Sequence, residues 1–247
     1  MNELWSDGKT LSEAYHNALI QLWDWGDETD CADWNCKQLE CSMTMIVENP
    51  LAEPMISRCW IGGAYELQQY VMEILDGILD FKIKDDLTWD YTYHERYAWQ
   101  YDWLINELKR NPSTRRAVLS IRDPKIDMEV DDPACLQHIQ YFIRDNKLHC
   151  KVLMRSNDAC KATFMNAFGF IMLQKKIADE LGIEVGTYTH RANSFHCYQK
   201  DYKMLEDYVK RIESHNEDTY EYEGSWKPMM KECIPKIMKQ VEDLKNN

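Results

Sequence analysis

The stretch that most constrains the fold runs from Asp132 to Asp158, DPACLQHIQYFIRDNKLHCKVLMRSND. Leu136–Arg144 and Lys147–Arg155 are rich in Ile, Tyr, Phe, Leu and Val, side chains that suit a pleated, half-buried surface. Asp145-Asn146 between them tolerates the left-handed backbone of a two-residue hairpin turn. Two antiparallel strands are expected. With a two-residue loop Arg144 pairs with Lys147, and counting outward sets Cys135 opposite Ser156; a one-residue change in the loop moves that partner only to Arg155 or Asn157. Either way a thiol, a guanidinium, a hydroxyl, an amide and a carboxylate (Cys135, Arg155, Ser156, Asn157, Asp158) converge at one end of the hairpin. A thiol beside a fixed cation ionises more easily than the free side chain, whose pKa is about 8.5. Cys135 is therefore a candidate nucleophile. A single cysteine at a strand start is ordinarily a small buried residue. Here, however, Pro133 fixes the approach of the chain, and Arg-Ser-Asn-Asp is a costly cluster to place near a core without a ligand to satisfy it.

At 247 residues, 45% of them apolar and only nine of them glycine, the chain is expected to form one globular domain spanning 1–247. A net charge of -13 repels an extended polyanion, so DNA is not an expected partner and any phosphate must be held by a local group of arginines. No apolar run approaches the roughly 20 residues of a membrane span, and the N-terminus carries no basic and apolar leader. Nine cysteines, an odd number without such a leader, suggest reduced thiols in a soluble, cytoplasmic protein.

Along the chain, Leu11, Tyr15, Ala18, Leu19 and Leu22 have helical spacing within Thr10–Trp25, with Gly26 as the stop. Cys31, Cys36 and Cys41 fall at intervals of five with no tighter pair, which points to packing and not to zinc. Leu39–Val47 reads as a strand, and Ala64–Leu75 as a helix that Asp76-Gly77 can end. Trp89–Arg96 is unusually aromatic. A helix over Trp99–Leu108 is followed by a turn at Asn111-Pro112-Ser113, and Arg115-Arg116 lead into a strand at Ala117–Ile121. Ala159–Leu181, apolar on nearly every side in its first half, predicts a buried central helix ended by Gly182. The buried amide of Asn166 within it needs partners. Ser194–Tyr198 is extended, so His196 and Tyr198 share a face. Helices follow at Tyr202–Ile212 and Pro235–Lys245, separated by an acidic loop at Ser214–Trp226.

DPACLQHIQYFIRDNKLHCKVLMRSND resembles the catalytic centre of thymidylate synthases, especially their short archaeal-type branch, and of the related phage pyrimidine hydroxymethylases. NPSTRRAV at Asn111–Val118, WDYTYHERY at Trp89–Tyr97, FMNAFGF at Phe164–Phe170 and SFHCY at Ser194–Tyr198 continue the resemblance, which covers roughly Trp60–Asp201. It implies an α+β fold: a large mixed sheet packed at a dimer interface, with helices on its other face. It also implies addition of the Cys135 thiolate to C6 of dUMP and one-carbon transfer from 5,10-methylenetetrahydrofolate to C5, giving dTMP. Arg155 would lower the thiol's pKa and bind phosphate together with Ser156 and with Arg115 and Arg116 of the neighbouring subunit of a homodimer. Asn166 would read the pyrimidine edge and favour uracil, since the cytosine-using relatives carry aspartate there. Asn157 and Gln140 would join the substrate contacts, Asp158 would help place base and folate, and His196 with Tyr198 would hold the sugar 3'-hydroxyl. Tyr93 would stand at the mouth of the site, and Glu73, with Glu66 as the alternative, would order water at the pyrimidine. No metal is implied.

Some residues depart from the family pattern. Leu136 follows the nucleophile where most bacterial synthases have histidine, although the archaeal-type branch shares leucine. No arginine precedes Arg58. Asn193-Ser194-Phe195 adds one residue ahead of His196, and the final EDLKNN lacks the hydrophobic tail that closes over folate. These features leave room for a dUMP, dCMP or CMP 5-hydroxymethylase, and more distantly for a nucleotide- or RNA-binding homologue without turnover.

Overall fold

The computed structural model describes residues 1–83, 89–214 and 219–246. Its elements in chain order are β1 (Glu3–Gly8), α1 (Leu11–Trp25), β2 (Asp27–Cys31), β3 (Cys36–Val47), β4 (Ile56–Ser57), α2 (Ala64–Asp76), α3 (Tyr93–Arg110), β5 (Val118–Ser120) and α4 (Pro124–Asp127). They continue with β6 (Leu136–Arg144), β7 (Lys147–Asp158), α5 (Thr163–Leu181), β8 (Glu184–Tyr198), α6 (Tyr202–Glu213), β9 (Thr219–Tyr220) and α7 (Lys227–Lys245).

Seven strands form one mixed sheet in the order β1-β3-β8-β7-β6-β5, with β2 pairing the first half of β3. β1 runs parallel to β3 and β7 parallel to β8, while the other neighbours are antiparallel. The β6–β7 hairpin is the expected one. Arg144 pairs with Lys147, and Asp145 and Asn146 both take positive φ (51° and 58°), the geometry whose twist matches that of the strands. Leu136, Ile139, Tyr141, Leu148, Cys150, Val152 and Met154 point inward and are buried, whereas Gln140, Phe142, Lys151 and Leu153 keep surface in solvent. This period of two gives the sheet one face under the helices and one open face. Among the helices on the covered face, α5 is the most enclosed, with Phe164, Phe168, Phe170, Ile171 and Leu173 all fully buried.

Several boundaries differ from those read off the sequence. β3 starts at Cys36, because β2 pairs residue for residue with Cys36–Glu40 and brings Cys31 opposite Cys36. α3 starts at Tyr93 and not Trp99: Thr92 caps it, its hydroxyl accepting the Glu95 N–H at 3.1 Å, so much of the aromatic stretch is helical. β5 is shorter than Ala117–Ile121. α5 begins at Thr163 because the Asp158 carboxylate takes the N–H groups of Cys160 and Lys161 (3.0 and 2.9 Å) in a preceding turn. α7 begins at Lys227, eight residues before the expected start, and Pro235 lies inside it. That proline removes one helical hydrogen bond, a loss offset by burial of Ile237 and Val241 against Met72 and Leu79. The acidic loop expected over Ser214–Trp226 includes residues 215–218, which lie outside the described residues; the remainder contains β9, which pairs with β4.

Candidate active site

The hairpin end is built by a register shift. Leu136 pairs with Met154 but His138 pairs with Leu153, so Gln137 is an extra residue on β6, a bulge. Cys135 therefore stands opposite Arg155 and not Ser156, with the Arg155 N–H donating to the Cys135 carbonyl at 2.7 Å. The Arg155 guanidinium reaches back over the segment before the thiol. Its Nη2 donates to the Pro133 carbonyl at 2.6 Å and pairs with Asp132 at 3.1 Å, and its Nε donates to the Ala134 carbonyl at 3.3 Å. A cation is thus fastened beside a half-buried thiol.

The thiol's acidity departs from the expectation. Arg155 does favour the thiolate, but burial outweighs it, and Cys135 is held above the ordinary cysteine pKa. In a desolvated site the charged form needs more than one neighbouring cation. Two phenols lie against the backbone here, Tyr91 at the amide of Cys135 and Tyr93 at that of Leu136.

β8 supplies the opposite wall. Ser156 pairs with Ser194 and Asp158 with His196 in the parallel β7–β8 ladder. On its other edge β8 carries a bulge, where Cys41 pairs with Phe195 but Met43 with Ala192. The pairing with β7 runs past that bulge without a shift, and His196 stands beside Asp158. Burial raises the Asp158 carboxyl and lowers the His196 imidazole. Nδ1 of His196 lies 3.4 Å from the hydroxyls of Ser156 and Ser194, while its buried Nε2 has no partner among the described residues. Its ring meets Tyr198 edge-on, with centroids 4.8 Å apart. Asn157 is fixed from below by a buried relay in which Tyr188 bonds His190 and His190 bonds the Asn157 Oδ1, both at 2.8 Å. Burial pushes the His190 pKa down to about 3, so the ring is neutral.

A cleft of about 570 Å3 collects Cys135, Arg155, Ser156, Asn157, Asp158, Asn166, His196, Tyr198 and Tyr93. Other predicted residues lie elsewhere. Glu73 lines a neighbouring cavity of about 330 Å3 with Asp80, Trp89, Asp90 and Tyr91; Tyr70, Tyr93 and Asp132 border both spaces. Burial raises the Glu73 carboxyl, which Gln69 bonds at 2.8 Å. Glu66 caps α2 by accepting the Gly63 N–H at 2.9 Å. Gln140 faces away from the cleft and donates to the Arg115 carbonyl at 2.9 Å. Arg115 and Arg116 are exposed and do not line the cleft of their own chain.

Four contributors escaped the sequence reading: Tyr70, whose hydroxyl bonds Asn166 at 2.5 Å; Tyr91; Asp132; and the turn Cys31–Trp34 between β2 and β3, which closes one side of the cleft. Tyr91 had a signal, two residues before Tyr93 in the same motif. The Cys31–Trp34 turn and Tyr70 had none, because what places them is packing between elements distant in the chain.

A mixed sheet with a helical layer on one face, and a thiol and a guanidinium where its central hairpin ends, is a thymidylate synthase-like architecture. Residues 5–223 match the thymidylate synthase family model, and the chain belongs to that family. It is similar to proteins named "Putative thymidylate synthase" from Methanocaldococcus jannaschii (36% identical over 158 residues, 60% of this chain and 69% of that protein) and from Methanosarcina mazei (29% over 214 residues, 83% and 94%). The solved thermostable thymidylate synthase A from Bacillus subtilis superposes with a TM-score of 0.66 at 20% identity, over 81% of this chain and 84% of that one. No helix among the described residues is long and apolar enough to cross a membrane.

Proposed function

We propose that the protein, acting as one domain, is a methyltransferase that converts dUMP to dTMP with 5,10-methylenetetrahydrofolate, using Cys135 as nucleophile. The observation that carries this reading is the register that puts Cys135 and Arg155 side by side at a cleft holding Asn157, Asp158, Asn166 and His196. Addition of the Cys135 sulfur to C6 of the pyrimidine makes C5 a carbon nucleophile. In this reading Arg155 and Ser156 meet the phosphate, as planar guanidinium groups hold phosphate oxygens through paired hydrogen bonds. Tyr198 and His196, which line the same cleft, take the sugar hydroxyl in this reading, and Asn166 takes the base edge.

The cavity beside the cleft suits the co-substrate: Trp89 and Tyr91 offer aromatic faces for a flat heterocycle, while Glu73, Asp80 and Asp90 offer acceptors for its N–H groups. When bound, methylenetetrahydrofolate supplies the one-carbon unit and, for a methyl product, a hydride. Tyr70 and Tyr93 between the two spaces limit water at the reacting carbon. The open sheet face supports a homodimer, in which Arg115 and Arg116 reach the partner's phosphate site.

The test is incubation with 5-fluoro-dUMP and methylenetetrahydrofolate, followed by intact mass. A covalent complex is expected with the native protein and is lost in Cys135→Ser, which still binds nucleotide. Persistence of the complex in the variant shows that another thiol reacts, and its absence from the native protein leaves a binding homologue. With dUMP as substrate, a product one oxygen heavier than dTMP replaces the methyltransferase reading with hydroxymethylation.

A further inference from the structure

We propose that Tyr70 sets the preference of the cleft between pyrimidine bases by holding the Asn166 amide in a single orientation; this deepens the uracil-nucleotide reading above and rests on it. Tyr70 stands on α2 and Asn166 on α5, and the phenol oxygen lies 2.5 Å from Asn166 Oδ1. Burial holds the Tyr70 phenol well above its ordinary pKa, so it keeps its proton and donates. Asn166 is 6% exposed, and its Nδ2 has no hydrogen-bond partner among the described residues, so this amide end is left for whatever fills the cleft. Turning the amide over would set its NH2 against the phenol, whose own proton would then lack an acceptor.

The fixed orientation distinguishes the two bases. Uracil presents a 4-oxo acceptor and an N3–H donor, which match the Asn166 Nδ2 hydrogens and the second lone pair of Oδ1. Cytosine presents the reverse pattern, a 4-amino donor and an N3 acceptor. It would set donor against donor unless the amide turned, which Tyr70 opposes. Tyr70 is therefore a positioning residue, acting on the base through Asn166.

A second feature of the packing supports this. Gly169 lies on α5 under the Tyr70 ring, and a Cβ there would sit 2.8 Å from Tyr70 Cε1. The absent side chain is what lets the ring approach α5 closely enough for its hydroxyl to reach Asn166. Gly169→Ala keeps the phenol but displaces it, whereas Tyr70→Phe keeps the ring and removes the hydroxyl.

The test is the ratio of dCMP to dUMP dissociation constants, measured by equilibrium dialysis for the native protein and both variants. The native protein is expected to bind dUMP at least about tenfold more tightly, as a site built around fixed polar partners rejects the mismatched base. In Tyr70→Phe the ratio falls to within about threefold, and Gly169→Ala moves it the same way. A purely structural role for Tyr70 lowers both affinities together and leaves the ratio alone. An unchanged ratio in a variant that still binds dUMP overturns the role of Tyr70 while leaving the uracil reading intact. Native protein that prefers dCMP, or binds neither nucleotide, overturns both, and that measurement needs no variant to fold.

Discussion

Cys135 is a thiol pulled in two directions, down by the guanidinium of Arg155 and up by burial, and burial prevails. Its alkylation by iodoacetamide, followed at the Cys135 peptide by mass, should therefore inflect at higher pH than a free thiol. Arg155→Gln removes the one favourable charge and moves the inflection higher, slowing alkylation at neutral pH by roughly tenfold if it shifts the thiol by about one unit. A lower inflection in that variant would mean that Arg155 does not stabilise the thiolate. His190 gives a second residue-scale test through its depressed pKa of about 3, against an unfolded value of 6.5. As pH falls below 6.5 the unfolded chain takes up a proton that the buried imidazole refuses. The native state accordingly loses up to about 1.4 kcal/mol per pH unit from this group until the pH nears its folded pKa. Urea unfolding at pH 7.0 and 5.5 should show a smaller drop for His190→Gln than for the native protein; equal drops would count against this origin.

Among the elements, the hairpin was legible because it is local. Alternating Ile, Tyr, Val and Leu declare two strands, and Asp145-Asn146 supplies the positive-φ turn. The bulge at Gln137 was not legible, since an extra residue in a strand breaks no compositional pattern; pairing decides it. It also chooses Arg155 over Ser156 as the neighbour of the thiol. The start of α3 did carry a signal, the Thr92-x-x-Glu95 cap, beneath an aromatic run that reads as core. Thr92 also donates to Asp80 at 2.5 Å, so it anchors the end of α3 that carries Tyr93. Thr92→Ala should cost about 1 kcal/mol in urea unfolding, the usual worth of such a cap, and loosen the Tyr93 phenol against the backbone beside Cys135. No measurable loss would show that α3 is held by packing alone.

In the whole molecule the arginines become informative through what they fail to reach. Arg115 and Arg116 are exposed and outside their own chain's cleft, while the sheet carries Trp5 (74% exposed) on its edge strand β1 and Ile46 (36% exposed) on the adjoining β3. If the sites are shared across a two-fold axis, mixing inactive Cys135→Ser with inactive Arg116→Ala gives heterodimers with one intact site. About a quarter of native activity then returns after random exchange. No recovery in subunits shown to exchange would place each arginine's role within its own chain. The sequence by itself determined the hairpin, the helical layer, the family and most of the side chains that line the cleft, because periodicity, turn chemistry and motif order are properties of neighbouring residues. Only the tertiary structure decided that Arg155 and not Ser156 faces the thiol, that Glu73 looks into the adjoining cavity, and that Tyr70 holds Asn166. Each of those depends on how one element is registered against another far away in the chain, where packing and pairing choose among alternatives that local sequence leaves equal.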